Sequence, residues 1–150
     1  MTAHELILQS KAPYLAIATH ELPAIAASSD WQNKYRILMN LGKQLPAFSS
    51  DLQRDELLIA GCDSKAWLLH QFDGITQTHY WAFDSEARVV KGLVALAICQ
   101  LNGLPNNELA QLDFTSLLKP LGLYQNISPS RQNGLQAVLD KMASQIKAAN

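Results

Sequence analysis

Between residues 89 and 101 only Lys91 and Gln100 are polar; Val89, Val90, Leu93, Val94, Leu96, Ala97, Ile98 and Leu101 spread around the helical wheel instead of along one stripe. A helix that is apolar on most sides must be enclosed by other elements, so the chain has to build its fold around this segment. Gly103 and Pro105 end it, and Asp84 and Ser85 stand where caps belong.

The flanking sequence supplies the covering layers. Ser29 with Gln32 fits a capping box ahead of Trp31, Tyr35, Leu38 and Met39 at helical spacing, with Gly42 as the C′ residue and Pro46 as a stop. Ser128-Pro129 reads as N-cap and first residue of a last helix carrying Leu135, Val138, Leu139, Met142 and Ile146. Short helices are expected at 107–109 and 114–121. Residues 57–60, 66–72 and 75–83 are strand-prone. Asp73-Gly74 between the last two signals a type I′ hairpin with Phe72 opposite Ile75 and Leu68 opposite His79. The order predicts an α+β domain: a small antiparallel sheet of about three strands packed against helices, spanning 29–150. Residues 1–28 read as a weakly patterned N-terminal extension with Pro13 and Pro23 as breakers, either packed on the domain or partly mobile.

Bulk properties exclude several functions. A chain of 150 residues, 48% hydrophobic and 17% charged, can bury one real core. A net charge of -1, with basic residues scattered, offers no footprint for nucleic acid or an anionic membrane. No run reaches the roughly 18–20 apolar residues of a membrane span. The apolar stretch at 14–27 is interrupted by His20, Glu21 and Pro23 and lacks a basic n-region, so the chain reads as cytoplasmic. Its two cysteines, Cys62 and Cys99, read as free thiols in a reducing compartment.

Cys62 sits in Ala60-Gly61-Cys62-Asp63-Ser64-Lys65, a polar break between strand-prone runs. A thiol in a loop after glycine can be reached by a partner; the same context also suits a small residue under a turn. Lys65 favours the thiolate and Asp63 opposes it. Cys99, on the central helix in a stripe with Gly92 and Ala95, reads as a small hydrophobe where another element approaches closely. Arg131 occupies the first turn of the last helix, against the helix dipole, which an anionic partner offsets and solvation also relieves. His70 and His79 fall diagonally on one face of the hairpin. With Cys62 they match no zinc spacing, so no metal and no cofactor is expected. C-x-x-C, G-x-G-x-x-G, P-loop and G-x-S-x-G motifs are absent, and nothing local supports a cysteine-hydrolase triad.

Several segments, in order, resemble the SufE/CsdE family: Trp31-Gln-Asn-Lys-Tyr35, Leu41-Gly-Lys-Gln-Leu-Pro46, Ile59-Ala-Gly-Cys62-Asp-Ser-Lys-Ala-Trp67-Leu68, Asp84-Ser-Glu-Ala-Arg-Val-Val-Lys-Gly-Leu93 and Ser128-Pro-Ser-Arg131-Gln-Asn-Gly134-Leu135. The resemblance covers roughly 29–145, and Ala-Gly-Cys leans towards CsdE. It implies a fold shared with IscU-type scaffolds and docking to a pyridoxal-phosphate cysteine desulfurase of the SufS or CsdA type. It implies that Cys62 accepts persulfide sulfur, stimulates the desulfurase and passes sulfur to a downstream acceptor or iron–sulfur scaffold. Arg131, Asp84, Ser85 and Lys91 match motif positions, which implies roles in the cysteine pocket or in docking. Two other classes remain: a regulator that docks the desulfurase without using Cys62, and a metal or cluster scaffold, disfavoured by too few ligands.

Overall fold

The computed structural model, which describes residues 1–149, contains helices α1 (Ala3–Thr19), α2 (Glu21–Ala27) and α3 (Trp31–Leu41), a hairpin of β1 (Ala66–Asp73) and β2 (Thr78–Ser85), then α4 (Arg88–Leu101), α5 (Asn106–Leu109) and α6 (Pro129–Ala148). Helix α4 takes the central place its composition demands. Leu93, Val94, Leu96, Ala97, Ile98 and Leu101 are fully buried against β2, α1, α3 and α6. Each of the leucines, Val94 and Ile98 contributes roughly 1.5–3 kcal/mol by leaving water. Gly92 explains how α3 comes so close: a Cβ there would stand 2.5 Å from the Leu38 carbonyl oxygen, so any side chain would drive the two helices apart.

The α+β class holds, but the sheet has two strands, in the order β1-β2. The third expected strand shrinks to a single bridge, Leu58 against Trp67, with one hydrogen bond from the Ile59 amide to the Ala66 carbonyl at 2.9 Å. The residues before it are wound into a 3-10 turn at Asp55–Leu57 and so cannot extend the ladder.

The hairpin turn also differs. Phe72 pairs with His79 and Leu68 with Phe83, leaving Gly74, Ile75, Thr76 and Gln77 in the loop. The Asp73 carboxylate accepts the amides of Ile75 (2.9 Å) and Thr76 (3.3 Å), and Gln77 takes a left-handed φ of 58°. This side-chain-capped turn displaces the tight two-residue one. The register moves by an even number, so each residue keeps its expected face. Ala66, Leu68, Trp81 and Phe83 join the main core. Trp67, Leu69 and Ala82 form a second cluster with Leu6, Ile7, Phe48 and Leu52 on the opposite face.

Helix ends show four further corrections. Asp30, not Ser29, caps α3, its carboxylate accepting the Gln32 amide at 3.1 Å. Gly42 stays right-handed (φ -59°) and leads into a 3-10 turn, Gly42–Gln44. Asp84 and Ser85 end β2 and are not the caps of α4, although Ser85 Oγ accepts the Ala87 amide at 3.1 Å. The stretch expected as one helix at 114–121 is two 3-10 turns, Phe114–Leu117 and Lys119–Leu121, the second with Pro120 in its first turn. Ser128 and Pro129 start α6 as expected.

The extension packs on the rest of the fold. Thr2 and Glu5 make a capping box for α1. Pro13 lies inside that helix, where its missing amide leaves only the carbonyl of exposed Gln9 without its usual donor. Leu6 and Ile7 cover the outer face of the hairpin, while Tyr14 and Ile17 enter the main core.

His70 and His79 share a face diagonally, as expected, and bond directly: His70 Nε2 lies 2.7 Å from His79 Nδ1, and His79 Nε2 lies 2.6 Å from Asn106 Oδ1. Burial, then the neighbouring His79, lowers the His70 pKa from 6.5 to about 4. The unfolded chain therefore binds this proton first. Stability is complete above about pH 6.5 and declines as pH falls from there towards 4. After discounting for partial exposure, about 1–2 kcal/mol is expected across that window. In His70→Gln, whose amide can still donate to His79, the fall in melting temperature between pH 6.5 and 4 should be smaller than in the native chain. Equal falls would refute the assignment to His70.

Candidate functional site

Residues 60–65 connect the Leu58 bridge to β1 and form the loop that carries Cys62. Gly61 adopts φ 93°, a conformation that strains other residues, and packs against α6, where a Cβ would meet Ala137 Cβ at 3.4 Å. The loop is held at its far end: the Lys65 carbonyl accepts the Glu86 amide and the Ser85 hydroxyl, both at 3.1 Å. Cys62 is thereby laid over α6, its thiol donating to the Gly134 carbonyl with Sγ at 3.5 Å. A Cβ at Gly134 would stand 3.4 Å from that sulfur, so the glycine makes the notch in which the thiol rests.

A cleft of about 540 Å³ opens at the thiol, between the loop, residues 85–87 and 90, and the start of α6. Ser128, Ser130 and Arg131 bring the first turn of α6 to it, and Asp63, Ser85 and Glu86 supply the rest of its polar wall. The Ser130 hydroxyl donates to the Asp63 carboxylate, tying the loop to that turn. Cys62 is half-buried, and burial raises its thiol pKa, with the Asp63 charge adding to the effect. Of the two neighbours weighed from the sequence, Asp63 acts on the thiol. The resting group is therefore mostly the neutral thiol, and loop opening or a partner that changes its surroundings would favour the thiolate.

The structure brings Cys62, Ser85 and Arg131 to one cleft. Asp84 and Lys91 point elsewhere and pair with each other, Nζ to Oδ1 at 2.9 Å, each side chain 12% exposed. Asp84 Oδ2 also accepts the Phe48 amide at 2.9 Å, joining the segment after α3 to β2 and α4. Cys99 is half-buried and donates to the Leu96 carbonyl at 3.2 Å, with burial pushing its pKa up to about 12. His70 and His79 bind each other, away from Cys62. Among the described residues no three His, Cys, Asp or Glu side chains converge to hold a metal ion. No helix among them is long and apolar enough to cross a membrane.

The sequence reading missed Gly134, Glu86 and the Asp63–Ser130 bond. Gly134 left a usable signal: a glycine inside a helix costs about 1 kcal/mol relative to alanine and calls for a packing reason. Glu86 and Ser130 left none, because ordinary exposed polar residues become part of a site only through the fold.

Comparison with known proteins places the chain in a family. The family model described as SufE, an Fe-S metabolism associated domain, matches residues 21–146. The sulfur acceptor protein CsdE of Escherichia coli is 35% identical over 122 residues, 81% of this chain and 82% of that protein. An uncharacterized SufE-like protein of Rhizobium etli is 33% identical over 120 residues, covering 79% and 81%. The solution structure of a hypothetical protein from Thermus thermophilus matches with a TM-score of 0.67 over 91% of this chain and 96% of that one; at 18% identity it attests the fold alone.

Proposed function

The chain belongs to the SufE family, and from that premise we propose that it is a sulfur acceptor whose Cys62 takes persulfide sulfur from a cysteine desulfurase. The observation that carries the reading is the placement of Cys62: a free thiol on a glycine-led loop, resting at a cleft walled by the first turn of a long helix and by Arg131. The relative named as a sulfur acceptor supports the same role.

In the transfer, the Cys62 thiolate attacks the outer sulfur of the donor cysteine persulfide. The new bond joins Cys62 to that sulfur, the donor sulfur–sulfur bond breaks, and the donor cysteine leaves as a thiolate that takes up a proton. No electrons are gained or lost overall. A persulfide is more acidic than a thiol, so the product carries negative charge near neutral pH. Arg131 and the positive end of α6, both at the cleft, favour that charge. Ser85 and Glu86 shape the opposite wall. Asp84 and Lys91 act beneath the cleft by fixing the end of β2. A downstream iron–sulfur assembly or other thiolation protein then removes the sulfur by the same exchange in reverse roles.

The test is intact-mass analysis after incubation with a purified pyridoxal-phosphate cysteine desulfurase and cysteine. A gain of about 32 Da, reversed by reductant and mapped to the Cys62 peptide, is expected. Stimulation of the desulfurase with no added mass would sink the acceptor role and leave a docking regulator.

A further inference from the structure

The two edges of the hairpin are finished very differently. Along β2, the Trp81 amide and carbonyl are taken by the Asn102 side chain (2.8 and 3.3 Å), the His79 carbonyl by the Gly103 amide (2.9 Å), and the Phe83 amide by the Tyr14 hydroxyl. In the register of this hairpin His70 lies opposite Trp81 and Phe72 opposite His79. Opposed residues in an antiparallel pair point their peptide groups the same way, either towards each other or both outward. The outward bonds of Trp81 and His79 therefore place the amides and carbonyls of His70 and Phe72 on the free edge of β1. The Ile59 bond to Ala66 confirms the phase, since it satisfies the outward carbonyl of the same alternating set. Beyond that bridge nothing covers the edge: among the described residues, the edge-facing peptide groups of His70 and Phe72 have no partner.

A groove of about 580 Å³ runs beside this edge, with Leu58 and Ile59 on one wall, Ala137, Asp140 and Lys141 of α6 on the other, and His70 in its lining. A row of alternating amides and carbonyls next to a partly apolar trough is complementary to one kind of ligand, an extended main chain that adds a strand. A second copy of this chain fits badly. Two-fold pairing of His70 with Phe72 of the copy would set its Gly74 opposite Leu68, beside Trp67, where the Leu58 segment already bridges. Neither end of the described chain is free to fill the slot, because α1 and α6 are both packed into the fold.

The groove also adjoins the reactive loop. Ile59 and Ala60, which line it, run directly into Gly61 and Cys62, and Ala137 touches both the groove and Gly61. A partner seated over Cys62 needs to reach only across the loop stem to meet the β1 edge. We propose that the open edge of β1, residues 70–73, is a strand-addition site for an extended segment of the desulfurase that delivers sulfur to Cys62; this rests on the acceptor reading above. The added strand would continue the line begun by residues 57–59 and complete a three-stranded sheet only in the complex. It would also lean on the loop stem, linking docking to release of the thiol from its notch on Gly134.

The experiment compares Phe72→Pro with Phe72→Leu in the full-length protein. Proline removes the edge-facing amide and leaves the β1–β2 ladder intact, whereas leucine changes the side chain and keeps the amide. In sulfur uptake from a purified pyridoxal-phosphate cysteine desulfurase, the protein concentration giving half-maximal rate should rise about tenfold for proline relative to leucine, with the maximal rate little changed. Hydrogen exchange on the unmodified protein supplies a readout free of any folding defect: the His70 and Phe72 amides should exchange at least about tenfold more slowly in the complex. Equal behaviour of the two variants, together with unchanged exchange at those amides, overturns the proposal. Concentration-dependent protection without the desulfurase also overturns it, in favour of a second copy at the edge. If these fail while the native protein still gains sulfur on Cys62, the acceptor reading stands and only the edge site is lost; if no sulfur is gained at all, both fall.

Discussion

Cys62→Ser should abolish sulfur uptake altogether, while Cys99→Ser should leave it within about twofold of the native rate. The two thiols are both free and both half-buried, so exposure alone does not separate them. Their surroundings do. Cys62 lies on a loop over a cleft that a partner can enter. Cys99 belongs to the central helix, is bonded to the Leu96 carbonyl, and is held as a neutral thiol by burial, with its pKa at about 12. A serine at 62 retains the short polar side chain and can still donate to the Gly134 carbonyl, so the fold should survive the exchange. Measuring added mass for both variants, with melting temperature as a control, decides the assignment. Uptake that persists in Cys62→Ser and disappears in Cys99→Ser would reverse it. The pH dependence follows from the same geometry. Because burial and Asp63 raise the Cys62 pKa above the ordinary thiol value, the thiolate is a small fraction at neutral pH. Its fraction grows about tenfold per pH unit until the raised value is passed. Single-turnover uptake should therefore climb steeply across neutral pH, provided the donor's own titration is measured separately. Removing the Asp63 charge with Asp63→Asn should shift the curve to lower pH; a shift the other way would contradict the charge effect.

The pattern of what could be read in advance has a physical basis. Helix α4 was legible because an all-round apolar segment has one solution, enclosure, and its burial follows from composition. The start of α6 was legible because Ser128 and Pro129 act within one turn. The hairpin was legible in its faces but not its register. Alternation fixes which side a residue occupies, whereas the turn depended on whether Asp73 would use its carboxylate to cap the next amides. The third strand failed for a related reason: 57–60 has strand-prone residues, but pairing needs a neighbour in register, and the Asp55–Leu57 turn leaves room for one bridge. At the site, Cys62 could be singled out from its loop and from family wording. Gly134 left a signal as a glycine inside a helix, but its pairing with Cys62, more than seventy positions away in the chain, could not be read, because the contact is created by the loop folding onto α6. Motif position also grouped four residues that the structure places apart: Ser85 and Arg131 line the cleft, while Asp84 and Lys91 pair with each other.

That separation makes the largest stability prediction. Asp84→Leu should lower stability by about 3–5 kcal/mol, because it leaves the mostly buried Lys91 ammonium without its partner. The Phe48 amide, now bonded to Asp84 Oδ2 at 2.9 Å, and the Ser85 amide, bonded to Oδ1 at 2.9 Å, would lose their acceptor as well. For a domain of this size the loss corresponds to a fall in melting temperature of roughly 10 °C. Lys91→Met alone should also destabilise, since it strands the carboxylate. The double variant Asp84→Asn with Lys91→Met should recover most of the loss, for it leaves no buried charge while the asparagine oxygen can still accept the Phe48 amide. Urea unfolding of the three variants tests this order of stabilities. The functional corollary is sharper. If the pair only fixes the end of β2 beneath the cleft, the double variant should take up sulfur on Cys62 at a rate within about twofold of native once corrected for the folded fraction. A double variant that is folded but unable to accept sulfur would place Asp84 and Lys91 in the transfer itself and overturn the scaffold role drawn from their geometry.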